Sequence, residues 1–406
     1  MLQYFKLAFT NLMHRKVRSY LTMIGIFIGI AAVVALVSLS EGLKMAVAQQ
    51  FSAVGSDKIL IRAAGTSYGP PGTGAVGSLD KHDLELIGKV NGVEIAAGRL
   101  IRYVILEYRK EVKYSFAATV PDTDEKARSL VIEANQLITD RGRMLLPSDR
   151  NKIVIGDDYA TRNTFKENMR VGDKVLLNNQ DFEVVGILKR TGSPQTDMLL
   201  IMNEKTLRDL LDVPETYDII AAKVESGKKP LDVVDEVSRA MRADRNQKLG
   251  DEDFTVQSAE ELFKSYASIL DVIQIFLVGI AGISLIVGGI GIMNTMYTAV
   301  LERTKEIGIM KAVGAKTSDI MSIFLIESGM LGLVGGAIGI AIGFGLSKSV
   351  ELIAVQALGT SLLKADTSPF LIFGALAFSF FIGSLSGLFP AMQASRLQPV
   401  DALRYE

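Results

Sequence analysis

The chain has 406 residues and a formal net charge of −1, which gives no indication of a nucleic-acid or strongly acidic partner. It contains no cysteine and only two histidines, so disulfides and cysteine nucleophiles are excluded and histidine-based metal sites nearly so. Its mean hydropathy is slightly positive, a value that fits several membrane spans combined with one soluble domain.

The first long apolar segment covers 21–39, carries no charge and follows a short basic region. Since a transmembrane helix needs about 20 mostly apolar residues, we predict a first span there. An amphipathic helix over 1–20 precedes it. A cleaved signal peptide is the alternative, but the apolar segment is longer than a usual signal-peptide core and no A-x-A site follows it, which favours a span.

Residues 40–270 predict a folded α+β domain outside the membrane. Apolar residues alternate in 58–62 and 103–108, which is typical of strands. The Asn178-Asn179 pair predicts a hairpin turn, and the mixed-charge stretch 231–242 predicts a helix.

Both ends of this domain show apolar residues at helical spacing, which predicts that the flanking spans continue as helices beyond the bilayer. The two helices would form a stalk; the alternative is that these apolar faces only cap the domain. The residues concerned are Leu39, Leu43, Val47 and Phe51 on one side and Leu262, Tyr266, Ile269 and Ile273 on the other.

Three further apolar stretches predict spans over 271–300, 320–347 and 367–390. A short loop over 348–366 would join the last two, and 391–406 would form a tail. The predicted fold class is therefore a membrane protein with four transmembrane α-helices and a large α+β extracytoplasmic domain between the first and second spans.

The distribution of lysine and arginine predicts the orientation in a cell membrane. The first 20 residues hold four basic residues and no acid, so this end should be cytoplasmic. Alternation then places both termini and the segment 301–319 in the cytoplasm, with 348–366 outside.

The segment 301–319 places many charges and two glycines between two apolar runs. It resembles a phosphate-binding loop, whose motif is G-x-x-x-x-G-K-[ST]. Here five residues separate Gly308 from Gly314, and Ala315 intervenes before Lys316, so the lysine and the backbone donors would miss a phosphate. We therefore predict that the chain binds no nucleotide or other cofactor directly. No other catalytic or metal-binding motif occurs, which disfavours an enzyme.

As a helix, this segment would place two acids on one face and an apolar strip of Ile307, Met310, Val313 and Gly314 one turn further on. Such a helix suits docking to another protein at the membrane surface; the alternative is a solvated loop. Glu327, near the start of the third span, is either a functional acid within the membrane or an interfacial one.

Glycines recur at helical spacing inside the spans, and small residues at this spacing let helices approach closely in lipid. We predict helix-packing roles for Gly25, Gly29, Gly335, Gly339, Gly343, Gly383 and Gly387.

Four blocks of the chain resemble the ABC-transporter permeases of the MacB/FtsX superfamily, and most closely its MacB-type branch. The most specific block is ISLIVGGIGIMNTMYTAVLERTKEIGIMKAVGAK, 283–316. The other blocks are 11–34, 169–192 and 389–406.

The resemblance implies a permease subunit that works as a homodimer or related heterodimer with two cytoplasmic ABC ATPase subunits, which bind the ATP. In this branch, ATP-driven closure is relayed to the outer domain by mechanotransmission, giving export or efflux. The segment after the second span is similar to the family's coupling helix. The residues that match its motif are Glu302, Arg303, Glu306, Gly308, Lys311 and Gly314.

In MacB itself the ATPase is fused before the first span, whereas this chain starts at the membrane helix, so we expect a separate ATPase polypeptide. An extracytoplasmic adaptor is left open, membrane lipids are expected partners, and nucleic acid is not. The alternative function is a non-transporting signal relay that regulates an envelope enzyme or receptor, as in the FtsX branch.

Overall fold

The computed structural model of the chain describes residues 16–64, 78–162, 164–358 and 363–404. The predicted helix over 1–20 therefore lies almost entirely outside the described residues. The chain divides into two compact units. The membrane unit comprises Met1–Ala46, Ala267–Ala357 and Ser361–Glu406, and the inserted domain comprises Val47–Tyr266 with Leu358–Thr360.

The described helices and strands are, in chain order, α1 (Lys16–Val54), β1 (Lys58–Ala63), β2 (Leu79–Asp80), α2 (Lys81–Gly88), β3 (Val93–Arg99), β4 (Ile101–Tyr108), β5 (Glu111–Val120), α3 (Glu125–Ala134), β6 (Thr139–Gly142), β7 (Lys152–Ile155), α4 (Asp158–Thr161), β8 (Lys174–Leu177), β9 (Gln180–Leu188), α5 (Pro194–Asp197), β10 (Leu199–Asn203), α6 (Glu204–Leu211), β11 (Thr216–Tyr217), β12 (Ile219–Val224), α7 (Pro230–Asp244), β13 (Phe254–Ser258), α8 (Ala259–Glu302), α9 (Thr304–Ala312), α10 (Thr317–Leu358), α11 (Pro369–Ser386), α12 (Leu388–Arg396) and α13 (Pro399–Arg404).

Among the described residues, four helices are long and apolar enough to cross a membrane, namely α1, α8, α10 and α11. The first three have 39, 44 and 42 residues, about twice what a bilayer requires. The loop predicted from residue 348 is wrong in its first part, because α10 continues to Leu358. No glycine or proline interrupts 346–358, and Lys348 bonds to Glu351 one turn later at 2.7 Å, which favours a continuous helix.

Close glycine contacts hold the helices of the membrane unit together. A Cβ on Gly25 would lie 2.6 Å from the Gly288 Cα atom, so α1 and α8 meet backbone to backbone. A Cβ on Gly339 would lie 2.7 Å from the Phe27 carbonyl oxygen, which places α10 on the other side of α1. Five of the seven glycines singled out from the sequence, namely Gly25, Gly29, Gly339, Gly343 and Gly383, lie within a spanning helix and would meet a neighbouring helix within 3 Å if they carried a Cβ.

The other two predicted packing glycines behave differently. Gly335 is buried in α10. Gly387 would meet the Ser328 Oγ atom at 2.1 Å and is also the residue at which α11 ends. Pro390, which has no backbone N–H, cannot continue the α11 hydrogen-bond ladder, so the chain starts the separate helix α12. The fourth spanning helix is therefore shorter than predicted, and the tail predicted over 391–406 contains helices.

One sheet of the inserted domain has four antiparallel strands in the order β13-β1-β12-β3. Its apolar side chains, such as Ile61 and Ile220, pack against Ile87 of α2 and Val237 of α7. A capping box starts α2, because the Asp80 carboxylate accepts from the Asp83 N–H and the Asp83 carboxylate accepts from the Asp80 N–H.

A second sheet has seven strands in the order β6-β9-β7-β10-β5-β4-β8. Because β8 also pairs with β9, six of these strands form a closed ring. The predicted hairpin is present: Asn178 and Asn179 have φ of 47° and 66°, as a type I′ turn requires, and join β8 to β9. The interior of the ring is a buried core that includes Leu106, Phe182 and Leu200.

The short helix α3 packs between the two sheets. Its Leu130 and Val131 belong to one buried cluster with Ala97 of the four-stranded sheet and Ile201 of the seven-stranded sheet. Both sheets therefore share apolar contacts, and the inserted domain is α+β as the sequence predicts.

Candidate functional site

The charged segment after α8 forms the short helix α9, and a single residue separates the two helices. Arg303 has φ −108° and ψ 15°, which breaks the helix after Glu302. The Thr304 hydroxyl donates back to the carbonyl oxygens of Val300 at 3.0 Å and Leu301 at 2.9 Å. Such back-bonding by a threonine favours a bend at this point.

A glycine in the left-handed region ends α9. Gly314 has φ +105°, its N–H donates to the Lys311 carbonyl at 3.0 Å, and the Ala315 N–H donates to the Met310 carbonyl at 3.0 Å. These two bonds form a Schellman motif. The predicted coupling helix over 301–319 is therefore confined to Thr304–Ala312, because a glycine that is free to adopt positive φ stops it.

One face of α9 and its ends is exposed. Glu302, Lys305 and Glu306 are exposed charged residues. Ile309 is 51% exposed and Val313 is 84% exposed, so two apolar side chains sit among these charges. An exposed apolar pair within a rim of mixed charge has the composition of a small protein-docking surface.

The opposite face of α9 is buried in the membrane unit. Thr304, Ile307 and Gly308 are buried, and Ile307 packs in one cluster with Ile320 and Phe324 at the start of α10. The predicted apolar strip is therefore divided: Ile307 belongs to the core, while Val313 belongs to the exposed face. Gly308 lies on the buried face.

Arg303 forms an ion pair with Glu327 of α10. Its Nη1 atom lies 3.1 Å from Oε2 and 3.3 Å from Oε1, and the two side chains are 16% and 11% exposed. Removal of one member of such a buried pair leaves an uncompensated charge, which costs about 3–5 kcal/mol. Glu327 thus has a basic partner and serves as an attachment point between α10 and the start of α9.

Lys311 lies in the last turn of α9 and its ammonium group points to the end of α12. Its Nζ atom donates to the Ser395 carbonyl at 2.5 Å and to the Leu397 carbonyl at 2.9 Å. The helix α13, which follows, packs against α9. The side chain of Lys311 therefore joins α9 to the segment that follows the fourth spanning helix.

The structure thus separates the six residues expected at the coupling site. Glu302 and Glu306 are exposed, Arg303, Gly308 and Lys311 face the membrane unit, and Gly314 ends the helix. Sequence reasoning placed Lys305 only beside the face of Glu302 and Glu306, and it missed Ile309 as a member of the exposed face. Their signal was present, since Lys305, Ile309 and Val313 recur every four residues, the spacing of one helix face.

In the part of the chain that the structure describes, no group of three or more histidine, cysteine, aspartate or glutamate side chains could hold a metal ion. The arrangement around α9 offers an exposed surface and two points of attachment to the membrane unit.

Four membrane-length helices among the described residues, with a folded domain between the first and second, indicate a multi-pass membrane protein. Residues 19–240 match the MacB-like periplasmic core domain, and 278–399 match the FtsX-like permease C-terminal domain. The chain belongs to the ABC-transporter permeases of the MacB/FtsX type.

Two relatives that match over nearly their full length are named ABC transporter permeases, and a third is named as an ATP-binding/permease protein. The ABC transporter permease MJ1507 of Methanocaldococcus jannaschii is 38% identical over 401 residues, which cover 98% of this chain and 97% of that protein. The ABC transporter permease YknZ of Bacillus subtilis is 29% identical over the full length of both proteins. The macrolide export ATP-binding/permease protein MacB of Bdellovibrio bacteriovorus is 31% identical; the match covers 100% of this chain and 62% of that protein.

Proposed function

We propose that this chain is the membrane subunit of an ABC exporter driven by a separate cytoplasmic ATPase, and that the exposed face of α9 docks to that ATPase. The observation that carries the proposal is the exposure of Ile309 and Val313 within a ring of charges, on a helix whose other face is anchored in the membrane unit. Solvent exposure of these side chains is unfavourable until a partner covers them.

In this proposal both termini and α9 face the cytoplasm, as the basic residues near the first span indicate. ATP binding to the partner would displace α9, and α1 and α8, which are longer than a bilayer requires, would carry that movement to the inserted domain. Two copies of the chain would work together. The relative named MacB combines a permease with an ATP-binding region and bears an export name, which supports this assignment.

The test is a charge reversal on the docking face. The full chain carrying Glu306→Lys should lose the ATPase that co-purifies with the unmodified chain from native membranes, and permease-stimulated ATP hydrolysis should fall at least about tenfold. The physical reason is that a like charge would replace an attractive one in a docked surface, which typically costs a few kcal/mol. Co-purification and ATP hydrolysis of the recovered complex are the measurements.

The matched control is Glu85→Lys, the same charge reversal at an exposed residue of the inserted domain. It should leave both measurements unchanged. Retention of ATPase binding and stimulation by the Glu306→Lys chain would refute the docking assignment.

A signal relay remains the second candidate function, because the same coupling would serve it. Capture experiments with the full chain in an unsealed membrane preparation distinguish the two. A cell-envelope hydrolase or receptor bound to the inserted domain favours the relay, whereas an adaptor or a transported small molecule favours export.

A further inference from the structure

We propose that Lys311 is a positioning residue that fastens the docking helix α9 to α12, so that the two helices move as one body. The proposal deepens the proposed function, on which it rests, because it identifies how movement of α9 reaches the fourth spanning helix. It also assigns Lys311 a role different from ATPase contact, which the resemblance to coupling helices implies.

The geometry of the ammonium group carries this inference. Its two acceptors among the described residues are backbone carbonyls, those of Ser395 and Leu397, at 2.5 Å and 2.9 Å. Both belong to the C-terminal end of α12, where Leu397 is the capping residue. Lys311 differs in this respect from Lys305 on the same helix, because the side chain of Lys305 is exposed.

The end of α12 needs such a donor. The last carbonyls of a helix have no partner within the helix, and the aligned peptide dipoles give that end a partial negative charge. A lysine ammonium satisfies both requirements, because it donates several hydrogen bonds and is positive. Ser395 is 3% exposed, so water has little access to replace Lys311 at this helix end.

The opposite end of α9 has its own attachment. The Arg303–Glu327 ion pair joins the start of α9 to α10, and Ile307, one turn further along α9, is buried. The residue that precedes α9 is therefore held to the third spanning helix, and the last turn of α9 is held to the segment after the fourth. A force on the exposed face would be delivered to both spans.

The experiment measures the distance between α9 and α12 in the full chain in lipid nanodiscs. Because the chain has no native cysteine, spin labels can be attached to Ile309→Cys and Gln393→Cys alone. We expect a narrow distance distribution in this background. Lys311→Met, which keeps the apolar stem but removes the donor, should at least double its width. Lys311→Arg, which restores positive donors, should return it to the narrow form.

Lys305→Met is the matched control, because it removes an exposed lysine from the same helix. It should leave the distance distribution unchanged. A second variant, Lys311→Gln, keeps a neutral donor on a shorter side chain that would not reach both carbonyls, and it should broaden the distribution as Lys311→Met does. This variant decides the matter if Lys311→Met does not fold.

A narrow distribution in Lys311→Met, or in Lys311→Gln where Lys311→Met does not fold, would overturn the proposal. So would a distribution in Lys311→Arg as broad as in Lys311→Met, since the donor would then be irrelevant. No ATPase is present in this measurement, so its result is independent of the Glu306→Lys test. If Glu306→Lys has no effect, docking to α9 is refuted. The distance distributions then still test the attachment through Lys311.

A functional readout follows for the complex recovered from native membranes. Lys311→Met should retain the co-purifying ATPase, and its permease-stimulated ATP hydrolysis should fall at least about sixfold. Lys311→Arg should restore that hydrolysis. A loss of binding in Lys311→Met that parallels the loss of stimulation would show instead that Lys311 contacts the ATPase, which would overturn the proposal.

Discussion

Charged side chains of the same helix differ in what they contact, and α9 shows why the sequence alone does not reveal this. Glu306 is exposed, whereas the ammonium group of Lys311 reaches the end of α12. A helical wheel predicted the apolar and charged faces, but the acceptors of Lys311 lie 84 and 86 residues further along the chain. Contacts at that separation depend on how the spans pack, which periodicity does not encode.

Asp149 is a buried carboxylate of the inserted domain that several donors hold in place. It is 6% exposed, accepts two bonds from the Arg143 guanidinium at 2.5 Å and 3.1 Å, and lies 3.1 Å from the Lys152 ammonium. The guanidinium holds the pKa of this carboxyl well below its usual range, with further help from the Leu146 N–H at 2.9 Å.

We predict that this site makes the inserted domain acid-sensitive. Because the pKa of Asp149 is lower in the folded state, its contribution to stability is complete above the unfolded value of about 3.9 and is lost as pH falls through the folded value. Asp149→Asn should lower the free energy of unfolding by about 2 kcal/mol at pH 7 and flatten its dependence on pH below about pH 4. Thermal unfolding followed by tyrosine near-ultraviolet dichroism measures both effects.

Asp140→Asn is the control for this prediction, because the Asp140 side chain is 56% exposed and lies 3.5 Å from Arg141. An exposed pair of this kind contributes about 0–1 kcal/mol. Equal effects of the two substitutions, or an unchanged acid profile in Asp149→Asn, would contradict the assignment of acid sensitivity to Asp149.

At the scale of secondary-structure elements, the glycines of α10 differ in their surroundings. A Cβ on Gly343 would lie 2.8 Å from the Ala31 carbonyl oxygen of α1, which cannot move without shifting the helix backbone. A Cβ on Gly345, two residues later, would meet nothing within 4 Å. The sequence spacing indicated the first role for Gly343, since it lies four residues from Gly339.

We predict opposite effects of alanine at these two positions. Gly343→Ala should destabilise the detergent-solubilised chain by about 1–3 kcal/mol, because α1 and α10 must separate to admit the methyl group. Gly345→Ala should be neutral or stabilise it by up to about 1 kcal/mol through the higher helix propensity of alanine. Thermal unfolding of both variants checks the pair, and equal destabilisation would rule out the contact with Ala31 as the cause.

Hairpins show which elements of the inserted domain are readable from local sequence. Asn178 and Asn179 are residues that tolerate positive φ, so the β8–β9 turn was predictable. The β4–β5 turn uses Arg109 and Lys110 at φ of 50° and 69°, and neither residue signals a turn. There the pairing of β4 with β5 along eight residue pairs enforces the conformation, which no local pattern shows.

At the scale of the whole molecule, the sequence predicted the four spans, the inserted domain and their order, because the length of an apolar span is a strong signal. Closure of the seven-stranded sheet was not predictable. It depends on β8 pairing with β4, where Leu177 lies opposite Leu106, residues 71 positions apart by number. Likewise, the end of the third span was predicted from where the apolar residues stop. The helix α10 continues past that point to Leu358, because polar residues can also be helical.

Exposed apolar residues outside the uncharged part of α8 point to a further surface. Lipid accounts for exposed side chains within the uncharged run, but Tyr266 and Ile269 precede Asp271 and are 44% and 38% exposed. On α1, Met45 follows Lys44 and is 60% exposed. Polar contacts already join the two helices here, since the Lys44 ammonium lies 2.6 Å from the Asp271 carboxylate. Leu262 of the predicted stalk strip is buried, whereas Ile269 is exposed. A second copy of the chain is the partner that we propose for Ile269.

We predict that Ile269→Cys forms a covalent dimer when native membranes are treated with a mild oxidant. The chain has no other cysteine, so a band of twice the mass on a non-reducing gel reports this contact alone. Lys264→Cys is the control, because five residues turn the helix by about 140° and place it away from the apolar strip. It should stay monomeric under the same conditions. If Ile269→Cys also stays monomeric, or if both variants cross-link equally, the strip does not contact a second copy along this face, and the dimer must be sought on another helix.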